Sequence, residues 1–353
     1  MSLIDNLSQR LKHHPKRVVF PEGTDPRILQ TARKFADLKL GIPILLGDLL
    51  KIREAAERCN ITLAGIRILQ PDRSDEIQNF AAKLQTLPNF QDLNQETLTQ
   101  YVLDHNYFAT LMLATSSADA LVSGATVTTS SALRPLFEII PLQENVQTAS
   151  SMLMLETHNA NFGTDGVLFM ADCNVIAQPT PEQLADIAIT VGSLSYHLTD
   201  KTSLVALLSY TSKEPLNEDT PSSITKVKTA TELAKAKAKQ LKIPLQIEGE
   251  LQVDTALDPQ VAAYKNISGP VAGKANVLIF PDLNSGNIAS KMVSIASDNV
   301  HTYGQILTGL NKPAAEISRG ASIDDIFGTA VLVGCQAVDH RFLFGAERLS
   351  IRL

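Results

Sequence analysis

The chain has no tryptophan and only 3 cysteines in 353 residues. Cys59, Cys173 and Cys335 are an odd set, far apart, with no C-x-x-C pair. That argues against a disulfide framework and against a cysteine-ligated zinc. The 7 histidines are scattered too, none in an H-E-x-x-H pattern, so a dedicated metal site finds no support. There is no apolar run of about 18 residues, the length a membrane helix needs. The opening MSLIDNLSQRLKHHPKR also lacks the apolar stretch of a secretory signal. A cytoplasmic protein without a membrane partner is expected. A net charge of −6 argues against broad nucleic-acid binding. It still leaves room for a small anionic ligand held by a few arginines. Neither G-x-G-x-x-G nor G-x-x-x-x-G-K-[ST] occurs, which removes two glycine-rich routes to nucleotide binding.

The residues present, 44% hydrophobic and 19% charged with ordinary glycine and proline, suit a globular α/β chain. Its length exceeds the roughly 250–300 residues at which one core stops growing, so about two domains are expected. Strand-to-helix turns recur. Arg17–Phe20 reads as a strand, then Pro21-Glu22-Gly23, with Thr24 or Asp25 as cap and Pro26 in the first turn of a helix over Arg27–Leu38. Short strands follow at Ile44–Leu46, just behind Pro43, and at Ile66–Leu69. Ala118–Ser123 precedes Gly124 and a hydroxyl-rich run, Thr126 to Ser131, that suits a phosphate or carboxylate. Further on, Gly166–Met170, Ser203–Ser209, Leu245–Leu251 and Ala275–Phe280 read as strands. Leu184–Leu198, behind a Thr180–Gln183 capping box, and Thr225–Gln240 read as helices, and another is expected from Ile288. The alternation predicts open, mostly parallel sheet with ligands gathered at the carboxyl ends of strands.

The most informative stretch is LNKPAAEISRGASIDD, Leu310–Asp325. Ser322 and Asp325 have the capping-box spacing, so a helix is expected there, apolar through Ile326, Ala330, Val331 and Val333. Its first N–H groups favour an anion, Arg319 adds a planar charge, and Gly320 is expected to allow close backbone approach. Spacing alone leaves two readings of Asp325, a helix cap or a working carboxylate.

Several segments together resemble the phosphate acetyltransferase family and its phosphate butyryltransferase relatives. They are VVFPEGTDPRIL (Val18–Leu29), ADALVSGATVTTSSALRPL (Ala118–Leu136), ADCNVIAQPTPEQLADIAI (Ala171–Ile189), EGELQVDTALDPQVAAYKNISGPVAGKANVLIFPDLNSGNI (Glu248–Ile288) and ILTGLNKPAAEISRGAS (Ile306–Ser322). The resemblance implies an isocitrate/isopropylmalate dehydrogenase-like fold of two α/β/α domains with a cleft between them. The first, carrying the phosphate and catalytic side, would comprise residues 1–148 and 306–353. The second, 149–305, would carry dimerisation and part of the coenzyme A cleft. It implies a homodimer that exchanges an acetyl group between coenzyme A and phosphate, without a metal or a tightly bound cofactor, coenzyme A and acetyl-CoA being substrates. By the same resemblance the catalytic residues are Asp325 as base, Arg319 and Ser318. Arg134, Ser123, Thr129, Arg27, Asn284, Ser285 and Gly286 bind substrate. For Arg27 the residues add a hint of a ligand, since a cation in a helix's first turn opposes the dipole.

Three stretches depart from the family pattern. The basic Arg-Lys-x-Lys-Gly motif expected upstream of D-x-x-Y-F (here Asp104-His105-Asn106-Tyr107-Phe108) is replaced by LPNFQDLN, Leu87–Asn94. Between Arg73 and Arg134 only Lys83 is basic. S-Y-S-T-x-G-S becomes Ser209-Tyr210-Thr211-Ser212-Lys213-Glu214-Pro215, and H-S-T-A-D becomes Val127-Thr128-Thr129-Ser130-Ser131. The alternatives are a non-catalytic homologue that binds acyl-CoA as a sensor, or transfer of a longer acyl group.

Overall fold

The computed structural model describes residues 2–296 and 299–338. They divide into two compact units, residues 2–141 with 310–338, and the stretch from 142 to 309. Residues 339–353, expected to complete the first domain, lie outside the described residues. In chain order the first unit contains α1 (Leu3–His13), β1 (Lys16–Phe20), α2 (Pro26–Asp37), β2 (Gly41–Leu46), α3 (Leu49–Arg58), β3 (Arg67–Leu69), α4 (Ile77–Gln85), α5 (Gln95–Leu103), α6 (His105–Ala114), β4 (Ala120–Ser123) and α7 (Thr129–Ile139). The second contains β5 (Ser150–Thr157), β6 (Val167–Ala171), α8 (Pro181–Thr199), β7 (Ser203–Leu208), α9 (Ser222–Gln240), β8 (Leu245–Leu251), α10 (Val253–Leu257), α11 (Pro259–Tyr264), β9 (Val277–Ile279), α12 (Leu283–Ala296) and β10 (Val300–Thr308). The chain then returns to the first with β11 (Ala314–Glu316) and α13 (Ile323–Gln336).

The first unit's strands are parallel and lie in the order β3-β2-β1-β4-β11. The chain steps from β1 outward to β3, then resumes on the other side of β1 with β4. Strand order therefore reverses between β1 and β4, and the crevice at their carboxyl ends is where such sheets hold ligands. Val18, Val19 and Phe20 are fully buried between helices on the two faces. α2 starts where expected because Asp25 accepts the Arg27 N–H and Pro26 occupies the first turn. Its apolar stripe, Ile28, Leu29, Ala32 and Phe35, is buried. α13 is buried from Ile326 to Gln336 and packs on α1 and α2, with Cys335 inside and its thiol pushed up to about 12 by burial. Pro43 lies within β2 rather than ahead of it. Pairing with β3 begins only at Ile44↔Arg67, so the missing N–H breaks no bond on that side.

The second unit's sheet runs β10-β5-β6-β9-β7-β8. Its β6-β9-β7-β8 part is parallel, as the alternation predicts. β5 is antiparallel to both β6 and β10, a pairing the sequence pattern did not reveal. α8 carries its Thr180–Gln183 capping box and is buried almost all round. Leu153, Met170, Leu208, Leu251, Leu278 and Phe280 form part of the core on the sheet. α12 begins at Leu283, not Ile288, because Asp282 accepts the Ser285 N–H and opens the helix early. Among the described residues no helix is long and apolar enough to cross a membrane.

Candidate active site

Three turns follow the carboxyl ends of the adjacent strands β1, β4 and β11. They are Pro21–Asp25, Gly124–Thr128 and Ile317–Ser322. Hydrogen bonds from backbone N–H groups tie them together. The Ile317 N–H donates to Ser123 O at 2.8 Å, and the Gly124 N–H donates to Glu22 Oε1 at 2.9 Å. Gly124 sits at φ +114°, and a Cβ there would lie 2.4 Å from Ile317 O, so only glycine lets these two turns touch. Burial pushes the Glu22 carboxyl above its ordinary range, against the pull of the Gly124 and Thr126 N–H groups and with help from the Asp25 charge.

Arg27 reaches all three turns. Nε and Nη2 donate to the Asp25 carboxylate at 3.1 and 2.8 Å. Nη1 donates to Arg319 O at 2.7 Å and Ala321 O at 3.0 Å, and Nη2 also donates to Ala125 O at 2.8 Å. A guanidinium has five N–H donors, and these contacts engage them all. The dipole cost that hinted at a ligand is thus offset within the protein. The bond to Asp25 raises the Arg27 pKa still further. For Asp25, burial pushes the carboxyl up, but the Arg27 bonds outweigh it and hold it low.

The third turn is built differently. It closes with the Ala321 N–H on Ser318 O at 2.9 Å, and Ser318 Oγ accepts the Gly320 N–H at 3.3 Å. Ser318, Arg319 and Gly320 are exposed. Among the described residues the Arg319 guanidinium has no hydrogen-bond or ion-pair partner, and the Ser318 hydroxyl has no acceptor. The capping box forms at the entrance of α13: Asp325 Oδ2 accepts the Ser322 N–H at 2.9 Å and its hydroxyl at 2.7 Å. Oδ1 of Asp325 has no partner among the described residues, so capping engages one oxygen and leaves the other. Asp324 is exposed and pairs with Lys34 at 2.8 Å. A Cβ on Gly320 would meet only Ser318 Oγ, at 3.9 Å. The expected close approach to Gly320 therefore does not come from the protein.

The other sequence-predicted residues are placed as follows. Ser123 is buried and donates to Asn106 Oδ1 at 2.6 Å. Thr129, in the first turn of α7 behind the Thr128 cap, donates to Glu316 Oε1 at 2.9 Å. Arg134 lies further along α7, exposed, with Nε on Glu138 Oε1 at 2.8 Å, while Tyr107 Oη donates to Glu138 Oε2 at 2.6 Å. The bond to Glu138 raises the Arg134 pKa, and Tyr107 is raised by burial first and by Glu138 second. Asn284, Ser285 and Gly286 belong to the second unit. They form the first turn of α12, where Ser285 bonds back to Asp282 and Gly286 presses on Asp172 O, which a Cβ would approach to 2.2 Å. Asn284 is exposed. Sequence reasoning missed Glu22, whose partner is a backbone N–H 102 residues away.

The departures from the family pattern have physical replacements. In Leu87–Asn94, Phe90 is buried edge-on to Tyr101 and Tyr107, with centroids 5.2 and 6.2 Å apart. Aromatic packing there supports Tyr107, hence Glu138 and Arg134, where the basic motif was expected. In the second unit Lys213 pairs with Glu248 at 2.7 Å, the Glu214 N–H donates to Glu250 Oε1 at 2.9 Å, and Lys228 pairs with buried Glu250 at 2.9 Å. The altered loop is therefore fastened to β8. Among the described residues no group of three or more His, Cys, Asp or Glu side chains is placed to hold a metal.

Among the described residues, a guanidinium without a partner and a hydroxyl without an acceptor on the turn after β11, with a carboxylate oxygen without a partner in the first turn of α13, suit an anionic substrate and a proton transfer. The family model described as Phosphate acetyl/butaryl transferase matches residues 2–333. The phosphate acetyltransferase of Thermoanaerobacterium thermosaccharolyticum is 37% identical over 339 residues, covering 96% of this chain and 100% of that one. A phosphotransacetylase structure from Streptococcus pyogenes superposes with a TM-score of 0.84 at 29% identity, covering 95% of this chain and 98% of that one. A candidate 4-hydroxythreonine-4-phosphate dehydrogenase from Salmonella typhimurium, at 10% identity and a TM-score of 0.51 over 92% of this chain and 99% of that one, shares the fold alone. The fold is thus the α/β architecture of isocitrate/isopropylmalate dehydrogenase-like proteins. The chain belongs to the phosphate acetyl/butyryl transferase family and is an enzyme of it.

Proposed function

We propose that the protein is a phosphate acetyltransferase, acetyl-CoA + phosphate = acetyl phosphate + CoA, working through one ternary complex. The observation that carries this reading is that the Ser318 O–H, the Arg319 guanidinium and Asp325 Oδ1, between β11 and the first turn of α13, are left unengaged among the described residues. In the direction of thioester synthesis, Asp325 Oδ1 takes the thiol proton as sulfur attacks the carbonyl carbon. The C–O bond to phosphate then breaks and phosphate leaves. Arg319 holds the phosphoryl group and the charge developing on the carbonyl oxygen, and Ser318 donates to the tetrahedral intermediate. A carboxylate is a far weaker base than a thiolate, so transfer proceeds with attack rather than ahead of it. Arg134 and the N–H groups at the start of α7, with Thr129, hold phosphate, while Ser123 supports that turn through Asn106. Asn284 in the second unit contacts coenzyme A, with Ser285 and Gly286 shaping its turn. Like its family, the enzyme is expected to be a cytoplasmic homodimer.

The test is purified protein with acetyl phosphate and coenzyme A, following thioester absorbance, with butyryl phosphate in parallel. Rapid acetyl transfer supports the reading. Faster butyryl transfer would move the substrate to a longer acyl group. No turnover with either, while calorimetry still finds tight coenzyme A binding, would replace it with an acyl-CoA sensor.

A further inference from the structure

The five donors of Arg27 end on Asp25 and on the carbonyls of Arg319, Ala321 and Ala125. Two of those carbonyls flank Gly320, and one belongs to Arg319 itself. Arg319 otherwise reaches outward on an exposed turn, and a turn free to shift moves its guanidinium. Misplacement by about 1 Å is enough to cost on the order of a hundredfold in rate. Asp25 completes the device. Its side chain is only 8% exposed, accepts the Arg27 backbone N–H as helix cap, and holds two edges of the fork. The planar fork sends bonds in fixed directions that a lysine cannot copy.

We infer that Arg27 is a positioning residue for the acyl transfer: it binds neither substrate and fixes the Ser318–Ser322 turn by clamping its carbonyls, with Asp25 holding the clamp. The inference rests on the proposed reaction at this turn. It assigns Arg27 a role different from that of a substrate-binding arginine.

Arg27→Lys and Arg27→Ala separate the two roles. A clamp predicts that both lower kcat at least tenfold while KM for phosphate, acetyl phosphate and coenzyme A stays within twofold, with Lys failing to rescue. Asp25→Asn, which keeps a capping oxygen, lowers kcat less, and combined with Arg27→Lys adds little to it. Arg33 is the control. It clamps Thr62 O and Ala64 O from the same helix, away from the turn. Arg33→Ala is expected to lower the unfolding midpoint yet leave kcat within twofold, which separates positioning from general stability. Hydrogen exchange supplies a readout independent of turnover: the Ala321 and Ser322 amides should exchange at least tenfold faster in Arg27→Lys without substrate. KM rising tenfold or more at near-normal kcat, or rescue by Lys, would overturn the inference, as would unchanged exchange. If the wild type shows no turnover, the acyl-transfer reading falls and the exchange arm alone decides whether Arg27 holds the turn.

Discussion

The strand-to-helix junctions after β1 and β11 flank the one after β4, and each carries an arginine and an aspartate, yet their polar groups are used in opposite ways. Arg27 and Asp25 are engaged with each other and with three carbonyls, all inside the first unit. The Arg319 guanidinium and Oδ1 of Asp325 are left without protein partners among the described residues. Residue type therefore does not separate a structural from a chemical role here. The count of unsatisfied donors and acceptors does. A buried polar group must be paired, whereas an exposed, pre-positioned one is free for a substrate.

The largest expected effect lies on the unengaged side. Asp325→Asn keeps a side-chain oxygen for Ser322 and so keeps the cap, but removes the carboxylate proposed as the base. Turnover should fall about a hundredfold or more with the unfolding midpoint nearly unchanged. Steady-state kinetics beside urea denaturation checks both halves, and near-normal turnover would reduce Asp325 to a cap. Two glycines sharpen the same contrast. Gly124→Ala forces a Cβ onto Ile317 O at positive φ, and should cost about 2–4 kcal/mol of stability by urea denaturation. Gly320→Ala meets no protein atom closer than 3.9 Å. It should shift stability by less than about 1 kcal/mol. Its KM for phosphate or coenzyme A should nevertheless rise several-fold if the space beside it belongs to substrate. An unchanged KM would remove Gly320 from the site.

The smallest effect concerns Glu22. Its carboxyl is raised in the folded protein, so the fold binds its proton more tightly than the unfolded chain does. That contribution is fully present below the ordinary value of 4.5 and is lost as pH rises through the folded value. Relative to Glu22→Gln, the wild type should therefore lose stability as pH is raised from about 4.5, with a limiting slope of about 1.4 kcal/mol per pH unit. Denaturation midpoints of both proteins across that range measure it, and parallel profiles would deny the shift.

Local signals were legible in the sequence and distant ones were not. The caps at Thr180 and Ser322 form at the predicted residues, and Asp25 is the one of the two candidates that caps α2, because each motif closes within three residues. The turn carrying Ser318 and Arg319 was legible for the same reason. The three carbonyl partners of Arg27 lie 98 to 294 residues away, and no spacing rule reaches them. The bond from Ser123 to Asn106, 17 residues away, was not legible, and the aromatic support of Tyr107 by Phe90 took the place where a basic motif was sought. The antiparallel β5 and β10 escaped for different reasons: β5, SSMLMLET, is buried with no alternation, and β10, VHTYGQILT, mixes polar and apolar residues without a strict period of two.

Arg319→Ala tests the central contrast most directly, read as kcat for acetyl transfer together with the urea midpoint. A turn reserved for chemistry predicts a loss of about a hundredfold or more in kcat with the midpoint unmoved. Turnover near that of the wild type, or a midpoint that falls in step with the rate, would show that Arg319 serves the fold and would contradict the account.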